Sequence, residues 1–276
     1  MRRHCRVTGL LLTLCALLAG CAQPADNGIT QVATIDALLA GVYDGHMSLE
    51  NLRRHGDFGI GTFEGLDGEM VLLDGIFYQV RADGRVYRPP SSLQTPFASV
   101  THFVADQREE LAGPMDMRAL EARINERVPE QNRFCAFLVR GEFRHVRTRS
   151  VPAQSKPYPP LVEVTKQQPV FQLEQVRGVL VGFRSPEFVK GVNVPGFHLH
   201  FLTDERTAGG HVLDLELVHA HLEMDTVHDW LHIFLPSASG AFSVADLARD
   251  RGRELQAVEQ EKSAPPRRGT GVGPGK

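Results

Sequence analysis

Cysteine is scarce in this 276-residue chain: there are four, with Cys5 and Cys15 inside the first twenty positions and Cys21 just after them. Cys135 is then the single thiol beyond that segment, which excludes an intrachain disulfide framework of the kind that staples small secreted folds. Long apolar runs are missing too, since the stretch from Leu10 to Leu18 falls well short of the roughly 20 residues a membrane-spanning helix needs. Basic excess is absent. Thirty Lys and Arg against 33 Asp and Glu leave a formal charge of −3, a poor footprint for nucleic acid. No internal repeat of fixed period is visible. Gly59-Ile60-Gly61 lacks the third glycine and the long helix of a dinucleotide-binding fingerprint.

What is present begins at the N-terminus. Arg2, Arg3 and Arg6 precede the short apolar run, the order of an export signal. The run closes on Leu18-Ala19-Gly20-Cys21, which resembles the bacterial lipobox. Residues 1–20 are therefore expected to be cleaved as a lipoprotein signal peptide, with Cys21 carrying the lipid as the membrane anchor. Ala22, not Asp, follows the cysteine, which favours the outer membrane facing the periplasm. Losing three arginines and no acid would take the formal charge from −3 to −6. Residues 21–30, short and polar with Pro24, suit a tether.

The whole chain is 42% hydrophobic, enough for one large or two small domains. Thr30 to Val42 carries Ile35, Leu38, Leu39 and Val42 at helical spacing. From Gly56 to Val86 the period changes to short alternations broken by Asp-Gly pairs at 67–68, 74–75 and 83–84, predicting a meander of antiparallel strands. Residues 116–128 place Met117, Leu120, Ile124 and Val128 on one helical face behind a capping Asp116. Strand composition returns from Phe134 to Val146, and prolines at 152, 157, 159 and 160 mark a crossover into a second β-rich unit, about Val162 to Leu235. Residues 243–261 read as a final helix starting at Ser243. The expected division is thus 31–150, an N-terminal β-rich lobe; 151–261, a C-terminal lobe; and 262–276, a tail too poor in apolar residues to fold. The fold class is α/β in the broad, mixed α+β sense, with mixed or antiparallel sheets and few helices.

The strongest chemical signal is GFHLHFLTDERTAGGH. In a strand, His198 and His200 point to one face. His211 follows a loop ending in Gly209-Gly210 and opens another alternating run, so a hairpin can bring it beside the pair. Three imidazoles with an open position are what a catalytic Zn²⁺ needs, and other first-row divalent metals accept the same donors. His219, His221, His228 and His232 compete by spacing alone; their surroundings, VHAHLEMDTVHDW, lack a convergent glycine turn and read as surface or partly buried positions.

Over about residues 30–260 the chain resembles the α-acetolactate decarboxylases. The blocks carrying this are GDFGIGTFEGLDGEMVLLDGIFYQV, TPFASVTHF, VRTRSV, KPYPPL, VRGVLVGFRSP and GFHLHFLTDERTAGGHVLDLEL. The resemblance implies His198, His200 and His211 as metal ligands, and Glu69, Arg149 and Thr62 as active-site positions. It also implies a glutamate near the C-terminus, where RELQAVEQEK offers Glu259, with Glu254 and Glu261 as alternatives. Two β-rich lobes with the metal site in the C-terminal lobe near their interface, and a homodimer, are further implications.

The implied reaction is decarboxylation of 2-acetolactate to acetoin, in acetoin and butanediol metabolism. Ketone and hydroxyl on adjacent carbons can chelate one metal ion, and the electrons left by CO₂ are accommodated as a metal-stabilised enediolate. Arg149 suits the carboxylate or oxyanion, and Glu69 and Glu259 are the proton-transfer candidates. Two other classes remain open on the residues. His198-x-His200 followed by Glu205 approximates a cupin-like metal dioxygenase or isomerase, and a lipid-anchored zinc-binding protein without catalysis would also use clustered histidines.

Overall fold

The structure is a computed structural model that describes residues 27–260 except 227, 238 and 239. The expected export signal at 1–20, Cys21 and the expected tail at 262–276 lie outside the described residues. The chain opens with β1 (Gly28–Val32), and α1 (Ile35–Leu39) starts only after Thr34, whose hydroxyl accepts the Ala37 N–H at 3.2 Å. The helix expected from Thr30 is therefore shorter, because Ile29, Thr30 and Val32 are β-branched residues that pair as a strand.

After β2 (Met47–Ser48) and α2 (Leu49–Leu52) comes the meander: β3 (Phe58–Thr62), β4 (Glu69–Leu73), β5 (Ile76–Val80) and β6 (Val86–Tyr87). Asp74 and Gly75, both at positive φ, join β4 to β5 in a two-residue hairpin. β7 (Gln94–Thr95) pairs back with β2, and β8 (Ala98–Thr101) inserts between β1 and β3.

A second sheet takes over with β9 (Gln107–Asp116). Asp116 then caps α3 (Met117–Arg127) through the Ala119 N–H at 2.8 Å, as the sequence predicts. There follow β10 (Cys135–Arg149), α4 (Leu161–Thr165), β11 (Val170–Ser185), β12 (Gly196–Thr203) and β13 (Gly209–Asp225). β14 (Trp230–Phe234) returns to the first sheet beside β1, in parallel. The chain ends in α5 (Ala241–Val244) and α6 (Gly252–Gln260). The single helix expected over 243–261 is interrupted, because the Asp246 and Asp250 carboxylates bond the nearby Ala248 and Gly252 N–H groups and offer the backbone a non-helical path.

The two sheets run β14-β1-β8-β3-β4-β5-β6 and β10-β11-β12-β13-β9. The division expected at residue 150 does not coincide with the division between sheets: β9 and β10 belong to the second, and β14 to the first. Such pairings join segments far apart in sequence and leave no local pattern. Ile60, Val71 and Tyr78 of the first sheet meet Leu138, Val179 and Val181 of the second in a shared core. Leu120 and Ile124 of α3 cover the other face of the second sheet against Phe143, Leu215 and Leu222. Each such large side chain stabilises the fold by roughly 1.5–3 kcal/mol.

Candidate metal centre

β13 pairs with β12 through residues 209–211 and with β10 from 211 onward, so the second sheet closes on itself at His211. His211 lies opposite His200 on one side and opposite Arg149 on the other. Directly paired residues share a face, so one row of the sheet delivers two imidazoles and a guanidinium in the same direction. His198, two residues before His200, completes a triangle of rings with centroids 5.0, 5.1 and 5.4 Å apart.

Glycine makes this closure possible. A side-chain carbon on Gly210, at φ +132°, would lie 2.4 Å from the Arg149 carbonyl oxygen, and one on Gly209 would lie 2.2 Å from that of Phe201. Only hydrogen fits at either position.

The first sheet supplies the opposing wall. Thr62 and Glu69 face each other across β3 and β4, and Glu69 shares its face with the core residue Val71. The Thr62 hydroxyl donates to the Gly68 carbonyl at 2.7 Å and so holds the turn that leads into Glu69. From α6, Glu259 reaches the same cavity, its carboxylate 3.5 Å from His211 Nε2 and 3.8 Å from Arg149 Nη2. All seven residues named from the sequence line one small cavity of about 40 Å³, with Leu38, Phe97, Leu161 and Val258 among its apolar walls. Of the alternative glutamates, Glu254 is engaged by Arg249 and Arg251, and Glu261 lies outside the described residues.

The protonation pattern follows from contacts. His200 is buried, and its Nδ1–H donates to the Met70 carbonyl at 2.7 Å, which leaves Nε2 as a lone pair. Burial, helped by His198 and Arg149 and opposed by the Met70 bond, holds the His200 pKa well below its ordinary value. The imidazole is thus neutral. Its Nε2 is buried with no hydrogen-bond partner among the described residues, although the Glu69 carboxylate lies 3.5 Å away. An orphaned lone pair, fixed in direction by a bond at the other ring nitrogen and grouped with two further imidazoles, fits a metal ion.

Burial also lifts the Glu69 carboxyl to about 7, with Glu259 adding to the rise and Arg149 and the Val151 N–H opposing it. Arg149 is itself held by Gln168, whose side-chain oxygen accepts from Nη1 at 2.7 Å. Nothing in TKQQP marks Gln168 in the sequence, because its partner is 19 residues away on another element.

Other expectations fare differently. Glu205, the cupin-like candidate ligand, is exposed in the turn between β12 and β13 and does not line the cavity, because the hairpin carries it past the edge of the sheet. His219, His221, His228 and His232 also stay out of the cavity. His219 and His221 nevertheless converge with Glu110 on the outer surface of the sheet, a grouping not expected from their surroundings.

Fold and cavity together define an enzyme: a pocket between two sheets into which three imidazoles, a guanidinium and two carboxyl groups converge against apolar walls. Residues 29–249 match the family model for alpha-acetolactate decarboxylase. The alpha-acetolactate decarboxylase of Methanosarcina mazei is 49% identical over 236 residues, covering 86% of this chain and 81% of that protein. That of Methylococcus capsulatus is 45% identical over 234 residues, covering 85% and 89%. The crystal structure of alpha-acetolactate decarboxylase from Bacillus subtilis strain 168 superposes with a TM-score of 0.82 at 38% identity, covering 84% of this chain and 99% of that one. The chain belongs to the alpha-acetolactate decarboxylase family.

Proposed function

We propose that this protein converts 2-acetolactate to acetoin and CO₂ with a divalent metal ion, Zn²⁺ first, held by His198, His200 and His211. The observation that carries the reading is the convergence of those three imidazoles with Glu69, Arg149 and Glu259 in one cavity, in a chain of this family. When bound, the ion supplies Lewis-acid polarisation of an oxygen-rich substrate.

The chain's own residues do the rest. Arg149, oriented by Gln168, is a planar cation that holds the substrate carboxylate until the carbon–carbon bond breaks. As CO₂ leaves, the electron pair of that bond becomes the new C=C bond of an enediolate, with negative charge on the former ketone oxygen beside the same guanidinium. Glu69 carries a proton at its carboxyl, since burial keeps the neutral form favoured to about pH 7, and delivers it to the carbon that lost CO₂. Glu259, adjacent to Arg149 and His211 and close enough to Glu69 to raise its pKa, is placed to relay a proton from solvent that restores the spent Glu69 carboxyl. The apolar walls, Leu38, Phe97 and Val258 among them, exclude bulk water from the reacting carbon.

The test is an acetolactate-to-acetoin assay on purified protein. Chelation should abolish acetoin formation and Zn²⁺ should restore it. His200→Ala should lose the active-site metal and the activity together. Turnover indifferent to chelator would overturn the metal-dependent reading.

Two further properties belong to this proposal. The protein is exported and anchored by lipid at Cys21, so Cys21→Ser should move it from the membrane to the soluble fraction. It also works as a homodimer, for which β14 is a ready surface: it is an edge strand with Trp230, Ile233 and Phe234 exposed.

A further inference from the structure

β13 carries a second His-x-His, and its geometry is set by a break in the strand. Alternation along LEL sends Leu215 and Leu217 inward, and continued unbroken it would send His219 and His221 into the core as well. A β-bulge intervenes. The pairings of β13 with both β9 and β10 shift register between Leu217 and His219, leaving Val218 exposed and unpaired in the ladder. Leu217 and Ala220, three apart, are both fully buried as a result, and His219 and His221 turn together to the outer surface.

There they meet Glu110. It lies on β9 directly opposite His221, and its carboxylate accepts a hydrogen bond from His219 Nε2–H at 2.7 Å. The two imidazole rings stand 5.5 Å apart. One donor atom from each of the three residues lies within 4.8 Å of the others. Neighbouring charges on this face are largely committed to one another: Arg108 to Glu223, and Arg177 to Glu142. Arg140, across β10 from His221, adds a positive charge that weakens cation binding.

We propose that His219, His221 and Glu110 form a second, solvent-facing metal site, separate from the cavity, selective for first-row divalent ions that favour imidazole: Cu²⁺, Ni²⁺ and Zn²⁺. Two nitrogens and one oxygen from adjacent strands make three corners, and water fills the rest. Exposure makes the site weaker than a buried three-histidine set. Its occupancy ties β9, an edge strand, to β13. Calcium and magnesium, which take oxygen donors, are excluded by the donor set.

Purified protein is titrated with Cu²⁺ at pH 7.5, and the bound metal is counted after equilibrium dialysis, in the wild type, in His219→Asn/His221→Asn and in Glu110→Gln. The double variant should bind one equivalent fewer than the wild type, and Glu110→Gln should bind the same equivalent at least about tenfold more weakly. The readout is a difference between variants, so it stands whether or not the buried cavity is loaded. Cu²⁺ electron paramagnetic resonance should show, in the wild type, a component with two imidazole nitrogens that is missing from the double variant. Acetoin formation should be unchanged by all three substitutions. Equal stoichiometry and equal spectra in wild type and double variant, with both proteins folded by circular dichroism, would overturn the proposal.

Discussion

His200 shows how one side chain is made ready before any ligand arrives. The Met70 carbonyl fixes which ring nitrogen carries the proton, and burial keeps the ring neutral, so no deprotonation is needed to bind a metal. Gln168 does the corresponding work for Arg149 by occupying one edge of the guanidinium. Gln168→Leu should lower kcat/KM about 10- to 100-fold, the scale of a lost supporting contact, while metal content stays at the wild-type level; steady-state kinetics beside metal analysis would check both.

His228 presents the opposite case, a buried histidine outside the site. Both ring nitrogens lack hydrogen-bond partners among the described residues, and burial lowers its pKa from 6.5 to about 4 despite the attraction of Asp106 and Asp229. A neutral ring is favoured in the fold, so its contribution is full above pH 6.5 and is lost as the pH falls toward 4. His228→Leu should therefore narrow the loss of stability between pH 7.5 and pH 5, by an amount on the order of 1–3 kcal/mol, measured by urea unfolding at both values. An unchanged difference between the two pH values would show that the ring does not charge on unfolding in this range.

At the scale of elements, the site depends on where strands end. The β12–β13 hairpin puts His211 between His200 and Arg149, and that closure tolerates no side chain at 210. Gly210→Ala would combine a positive φ with a backbone clash. We expect a stability loss of about 1–3 kcal/mol and, because His211 and Arg149 are displaced together, weaker metal retention with reduced acetoin formation. Urea midpoints and metal content of the purified variant test this; full metal retention would mean that the hairpin relaxes without moving His211. α6 works differently. It brings one carboxylate to a site otherwise built from strands, and its buried Val258 seals the apolar wall.

For the whole molecule, the two sheets share one core, and the seven-stranded one ends in β14, whose outer edge pairs with no other described strand. Trp230 is 64% exposed and Leu235 63%, an apolar edge of the kind that monomers usually blunt with charge. Sedimentation should give a dimer for the wild type. Phe234→Lys together with Ile233→Lys should shift it toward monomer, while Glu69→Gln should leave the oligomeric state alone.

Local chemistry accounts for what was readable from the sequence. The Asp-Gly turns announce the meander, Asp116 announces α3, and His198-x-His200 with Gly209-Gly210 announces three imidazoles near one another. These signals lie within a few residues of the structure they specify, and the α-acetolactate decarboxylase resemblance adds Glu69 and Arg149 on the same short blocks. Tertiary structure decided what depends on distant pairing. It assigned β9 and β10 to the second sheet and β14 to the first, and it closed the sheet at His211. It brought Glu259 into the cavity while Glu254 went to arginines, and it set Gln168 against Arg149. The bulge at Val218 joins both levels: a change of parity in LELVHAHL is written in the sequence, but only the neighbouring strand could place Glu110 across from His221. Side-chain alternation is a property of one strand, whereas a site needs two or more strands in register.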